Sequence, residues 1–215
     1  MENLMLFLEL CGTAAFAVAG SITAMKVKAD VFGVMVLGII TATGGGVIRD
    51  VILGLRPPGA FVNPRYVITA AIVSLGVFLT VYFREKNGKR VPFERLQMFF
   101  LYMDSIGLGL FTAYGVIAAS QIYGTDNSFL LVFSGVVSGV GGGLLRDMIV
   151  DHLPDIFVKH IYALASIAGS VICLWLLRTG LAGTAVYISA AAVVMIRLLA
   201  AHYKWNLWKI EHFHD

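Results

Sequence analysis

The chain has 215 residues, 59% of them hydrophobic and only 13% charged, with a mean hydropathy of +0.85. A soluble domain carries about 25% charged residues, so this balance excludes an ordinary soluble fold and points to an all-α, multi-pass membrane protein. The net charge of +3 gives no reason to expect a nucleic-acid partner, and the placement of the charges matters more than their sum.

A span needs about 20 apolar residues, and seven segments qualify. They run over Leu4–Met25, Phe32–Leu55, Tyr66–Phe83, Leu96–Ser120, Ser128–Val150, Phe157–Leu177 and Ala182–Tyr203. Met1-Glu2-Asn3 lacks a basic start and the first run is long enough to span, so no cleavable leader is expected. Pro57-Pro58-Gly59, Asn63-Pro64 and Pro154 punctuate the connections, which are too short to hide a soluble domain. Cys11 and Cys173 sit inside apolar runs and suggest no disulfide framework. The five histidines show no ligand spacing, and His212-x-His214 reads as part of a solvated tail rather than a metal site.

Lys and Arg in the connections set the expected orientation. Lys26 and Lys28, the run Arg84–Arg95, Lys159, and Lys204 with Lys209 fall on one side; Arg56, Arg65 and Arg178 fall on the other. This asymmetry predicts an outside N-terminus and a cytoplasmic C-terminus in the cell (inner) membrane. The basic run Arg84–Arg95 reads as a topology signal and a contact for anionic lipid headgroups. Tyr203, Trp205 and Trp208 read as an interfacial anchor, and Arg197 in the last span is expected to snorkel to the cytoplasmic face.

One stretch occurs twice: Gly44-Gly45-Gly46-Val47-Ile48-Arg49-Asp50 and Gly141-Gly142-Gly143-Leu144-Leu145-Arg146-Asp147. The repeat extends further. Glu9, Gly12, Phe16 and Gly20 in the first span match Asp104, Gly107, Phe111 and Gly115 in the fourth, without a gap. Tyr66 and Ser74 in the third correspond to Tyr162 and Ser170 in the sixth. The chain therefore divides into a three-helix unit over residues 1–85, a second over 96–178, a seventh helix over 182–205 and a tail over 206–215. An odd number of spans per unit makes the second copy enter the membrane from the opposite side, an inverted repeat.

Two readings fit the glycine triplets. Small residues let helix backbones approach closely. Alternatively, three consecutive glycines, each weakening a helix by roughly 1 kcal/mol, kink or unwind it at mid-depth and expose backbone to a polar path. The second is favoured, because a packing face needs small residues every fourth position. Gly135, Gly139 and Gly143 have that spacing as well.

An Arg and an Asp at membrane depth each cost about 2.5–3.5 kcal/mol on insertion scales. Neighbours on a helix point about 100° apart, so Arg49 and Asp50 are not expected to face each other, and each needs another partner. With the first span descending and the second ascending, two ion pairs are predicted: Glu9–Arg49 near the outer end and Asp104–Arg146 near the inner end. Such pairs either staple helices together or line the two ends of a polar path. No nucleophile–base constellation, metal-ligand spacing or phosphate loop is present, so neither an enzyme nor a cofactor is expected.

Two copies of Gly-Gly-Gly-x-x-Arg-Asp, three helices per copy and a seventh helix resemble the prokaryotic members of the TRIC family, the trimeric intracellular cation channels. The same bacterial family is also labelled a glycine transporter family. The resemblance covers nearly the whole chain. It implies a homotrimer with one pore per protomer, lined by the second and fifth spans kinked at Gly44–Gly46 and Gly141–Gly143, and passing K⁺ or Na⁺. Animal members carry a Lys-Glu-Val element for lipid-linked gating, which this chain lacks. Glu9, Arg49, Asp50, Asp104, Arg146 and Asp147 are then the charged residues at the two mouths. A transporter of a small zwitterion such as glycine is the alternative.

Overall fold

The computed structural model describes residues 2–89, 92–154 and 161–205, and all of the regular structure among them is helical. Eight helices follow in chain order: α1 (Glu2–Lys26), α2 (Val31–Ile52), the single turn α3 (Gly59–Val62), α4 (Arg65–Lys86), α5 (Phe93–Tyr123), α6 (Ser128–Ile149), α7 (Tyr162–Arg178) and α8 (Ala182–His202). Six of them, α1, α2, α4, α5, α6 and α8, are long and apolar enough to cross a membrane. The sixth expected span is described only from its α7 part, 17 residues long; Phe157 and Lys159 lie outside the described residues, as do Arg90, Trp208, Lys209 and the two tail histidines.

Local chemistry fixes the helix ends. Asp30 caps α2 by accepting the Gly33 N–H at 2.8 Å, and Asn127 caps α6 by accepting the Leu130 N–H at 3.0 Å. Each occupies the same place relative to its glycine triplet. Inside the helices, hydroxyls that face apolar surroundings bond back to the preceding turn, as Thr41 does to the Leu37 carbonyl at 2.6 Å and Ser21 to that of Ala17 at 2.7 Å.

Helices α2 and α6 cross at the centre, and their helical structure runs unbroken through Gly44–Gly46 and Gly141–Gly143. No unwound turn interrupts either helix, and the triplets provide close packing. A Cβ on Gly45 would collide with the Ser138 carbonyl oxygen, and one on Gly142 with that of Thr41. A Cβ on Gly141 would lie 3.0 Å from the Gly45 Cα. Three consecutive glycines suit such a crossing because each meets a different neighbour. Gly44 and Gly141 face Leu145 and Ile48 across the contact, whereas Gly46 faces the Arg49 side chain and Gly143 faces those of Tyr162 and Arg146.

The contacts come in reciprocal pairs. Gly12 of α1 packs on Phe111 of α5, and Gly107 of α5 packs on Phe16 of α1; the two rings stack at 5.4 Å with an interplanar angle of 3°. Gly20 lies against Leu37, Gly38 and Thr41, while Gly115 lies against Ser134, Gly135 and Ser138. Gly38 faces Ser74 of α4, and Gly135 faces Ser170 of α7. Helix α8 breaks the correspondence: it packs on α5 and α7. Helix α4 lies at the periphery, burying only Ala70 and Ser74.

Candidate functional site

The first Arg-Asp pair sits at the C-terminal end of α2. Arg49 Nε and Nη2 both donate to Asp50 Oδ1, at 2.9 and 2.7 Å, and Nη1 reaches Ser138 Oγ at 3.3 Å. The guanidinium also lies over the Tyr114 ring, 5.0 Å from its centroid. Asp50 Oδ2 accepts the Gly59 N–H at 2.8 Å, which pins the proline-rich turn and α3 to the end of α2. Glu9 accepts the Tyr66 hydroxyl at 2.7 Å.

The expected Glu9–Arg49 ion pair is thus not formed. Cβ vectors 100° apart do not keep adjacent residues from meeting when one is arginine. Its long side chain folds along the helix so that two N–H groups converge on one carboxylate oxygen, a strong charge-assisted arrangement.

The second pair behaves differently. Arg146 Nε donates to Asp147 Oδ1 at 2.8 Å, repeating the Arg49–Asp50 contact, but Nη1 also donates to Asp104 Oδ1 at 2.7 Å. The Asp104–Arg146 pair therefore exists as the sequence register requires. Arg197 of α8 joins it, with Nη2 3.4 Å from Asp104 Oδ2 and its guanidinium 4.5 Å from the Tyr162 ring centroid. Arg197 is 3% exposed, so it does not snorkel. The helix that carries it packs into the second half, and a neighbouring carboxylate offers a better partner than distant headgroups. Phe100 lies over this cluster: Arg146 is 4.9 Å from its centroid, and Lys26 of α1 also sits 4.9 Å from it.

The two clusters differ in access. Asp104 and Arg146 are fully buried. Glu9, the counterpart of Asp104, is only half-buried and faces a cavity of about 440 Å³ that also touches Gly46, Arg49, Asp50, Tyr66 and Tyr114. A second cavity, about 840 Å³, shares Glu9, Tyr66, Tyr114 and Gln121 with the first. Formal charges differ as well. Glu9 and Asp50 against Arg49 leave the first cluster at −1; Asp104 and Asp147 against Arg146 and Arg197 leave the described part of the second at zero. No group of three or more metal-ligating side chains occurs among the described residues.

All six predicted charged residues therefore sit in these clusters, three in each, with one of the two expected inter-helix pairs made. Sequence reasoning misplaced Arg197 and missed Tyr114 and Phe100, none of which belongs to the repeated motif. Tyr66 and Tyr162 carried a usable signal, since they occupy matching positions in the two units.

The model of a family described as "Glycine transporter" matches residues 6–82 and 101–178, which are the two three-helix units. A UPF0126 membrane protein of Deinococcus radiodurans is 39% identical over 80% of this chain and 75% of its own length. Among solved structures, a TRIC cation channel is 32% identical with a TM-score of 0.82, covering 97% of this chain and 98% of that one. The trimeric intracellular cation channel orthologue from Rhodobacter sphaeroides is 28% identical with a TM-score of 0.84, covering 94% and 100%. The matches to both halves, the shared helical membrane fold and the near-complete coverage lead to one conclusion: this chain is a multi-pass membrane protein of the bacterial TRIC family, the family whose model carries the description "Glycine transporter".

Proposed function

We propose that the protein is a passive channel for monovalent cations, K⁺ or Na⁺, with one conduction path inside each protomer of a homotrimer. The path runs beside the α2–α6 crossing, starts at the Glu9 cavity and ends at the Asp104 cluster. Seven spans then form two inverted three-helix repeats plus α8, with the N-terminus outside, the C-terminus cytoplasmic and the Arg84–Arg95 run at anionic headgroups.

The observation that carries this reading is the Glu9 cavity. It holds a half-buried carboxylate, kept in place by Tyr66, in a lining of net formal charge −1. An arginine in the same wall is compatible with cation passage because Asp50 already neutralises it at 2.7 Å. A low-dielectric cavity with excess negative charge concentrates cations. The solved relatives bear the name of cation channels.

Transport of glycine is the second reading. The family description favours it, and so does a cavity wall that offers both a carboxylate and a guanidinium to a zwitterion. Reconstitution in planar bilayers under a KCl gradient separates the two. Discrete currents reversing toward the potassium equilibrium potential support the channel. Folded protein that passes no current, but exchanges labelled glycine saturably in liposomes, supports the transporter.

A further inference from the structure

Arg197 has no counterpart in the first half of the molecule. The two halves present equivalent carboxylates, Glu9 and Asp104, on equivalent helices, each beside an equivalent tyrosine, Tyr66 or Tyr162. In the first half Tyr66 donates directly to Glu9. In the second, a guanidinium from α8 lies on the Tyr162 ring and reaches Asp104 Oδ2. We propose that Arg197 is a tethered cation that plugs the Asp104 end of the path, and that its withdrawal with α8 leaves there a negatively charged carboxylate site for a monovalent cation, the arrangement Glu9 already has. This inference rests on the conduction path proposed above and names the element that regulates it.

Three observations carry it. First, Arg197 is the loosest member of its cluster. Its contact with Asp104 is 3.4 Å, against 2.7 Å for Arg146, and its buried Nε has no hydrogen-bond partner. A buried guanidinium held by one long contact and a ring face is far from its full complement of five N–H bonds. Second, the charge count turns on it. Removing Arg197 takes the described cluster from zero to −1, the value at Glu9, and frees Asp104 Oδ2 while Oδ1 stays on Arg146. Third, α8 lies outside both repeat units and packs only on α5 and α7 among the described helices. A small displacement of α8 can therefore release Asp104 without disturbing the α2–α6 crossing.

The test uses the full chain with Cys11 and Cys173 replaced by Ser, and a thiol placed by Ser166→Cys. Ser166 is fully buried on α7, one turn beyond Tyr162 and hydrogen-bonded to Thr112 at 2.7 Å. Two quantities are read: single-channel open probability in a K⁺ gradient, and the rate at which a cationic methanethiosulfonate labels Cys at position 166. Arg197→Gln is expected to raise both by about tenfold, the scale of losing one hydrogen bond to a charged group. Arg197→Lys, which keeps the charge but loses the fork and the ring stacking, is expected to fall between, and it decides the matter if Arg197→Gln does not fold. Adding Asp104→Asn to Arg197→Gln should abolish the gain in current.

Labelling and current unchanged by folded Arg197→Gln or Arg197→Lys overturn the inference. Labelling that rises tenfold in a protein that never conducts K⁺ supports the plug and refutes the conduction path instead.

Discussion

The two copies of Gly-Gly-Gly-x-x-Arg-Asp have the same residues and opposite surroundings. Both arginines pair with the aspartate that follows them, at 2.7 and 2.8 Å. Beyond that contact they diverge. At the first copy Asp50 is completed by the Gly59 amide, Arg49 by Ser138 and Tyr114, and Glu9 is held by Tyr66 and faces a cavity. At the second copy Asp104 collects Arg146 and Arg197, and Phe100 covers the assembly. Residues outside the motif therefore decide what a repeated motif does. A turn and a tyrosine open one copy, and a helix outside the repeat closes the other.

The contrast is sharpest for the two carboxylates. Asp104→Ala removes a carboxylate that two buried guanidiniums share, and breaking a buried pair in this way costs about 3–5 kcal/mol. It should lower the unfolding midpoint in detergent more than any other single change considered. Glu9→Gln keeps shape and an acceptor for Tyr66 in a half-buried site, so stability should change by under about 1 kcal/mol. Cation current should nevertheless fall, because the cavity lining goes from −1 to neutral. Equal thermal effects of the two substitutions would remove the distinction between an open and a closed copy.

The glycines give the next largest effect, and here the copies should behave alike. Gly45→Ala and Gly142→Ala each push a methyl into a facing carbonyl and should cost about 1–3 kcal/mol, as overpacking does. Gly46→Ala should be nearly neutral in packing, since its Cβ would find only Arg49 Nη2, at 3.8 Å. Thermal unfolding of the three variants checks the order. If Gly46→Ala were as damaging as Gly45→Ala, the crossing would not be where the triplets act.

Smaller effects separate the charge pairs themselves. Arg49→Ala exposes Asp50, which keeps the Gly59 amide, and makes the cavity more negative. Cation conductance at low salt should rise, with a stability loss of about 1–3 kcal/mol for the lost charged hydrogen bonds. Unchanged transport of every solute would make Arg49 purely structural. Tyr66→Phe removes a single bond to a half-buried carboxylate, and a loss of about 1 kcal/mol is expected, readable as a small shift of the same unfolding curve.

Much of this was legible in the sequence, for reasons that follow from the membrane. Backbone polar groups must be satisfied inside each span, so apolar length marks helices directly. The helices α1, α2, α4, α5, α6 and α8 accordingly fall within a few residues of their expected ranges. Asp104–Arg146 was readable because intramembrane charges need partners and the register left few. Glu9–Arg49 failed under the same logic. The local chelate with Asp50 satisfies Arg49 without crossing to α1, and Tyr66, which carries no charge, satisfies Glu9. The unwound turn did not form at the triplets, because composition alone cannot tell a glycine that weakens its own helix from one that admits another. Only the facing carbonyls of Thr41 and Ser138 separate the two. Arg197 had no repeat partner to flag it, and an arginine near the end of a span ordinarily reaches for headgroups.

Accessibility at the two ends of the proposed path tests the central contrast most directly. In the protein with Cys11 and Cys173 replaced by Ser, Ala118→Cys places a thiol in the lining of the Glu9 cavity, and Ser166→Cys places one beyond the Asp104 cluster. A cationic thiol reagent, supplied from each side in turn while current is recorded, should modify Cys at position 118 rapidly and alter conductance. It should leave Cys at position 166 unreacted while the channel is closed. Comparable rates at both positions in the resting protein would contradict a path open at Glu9 and shut at Asp104.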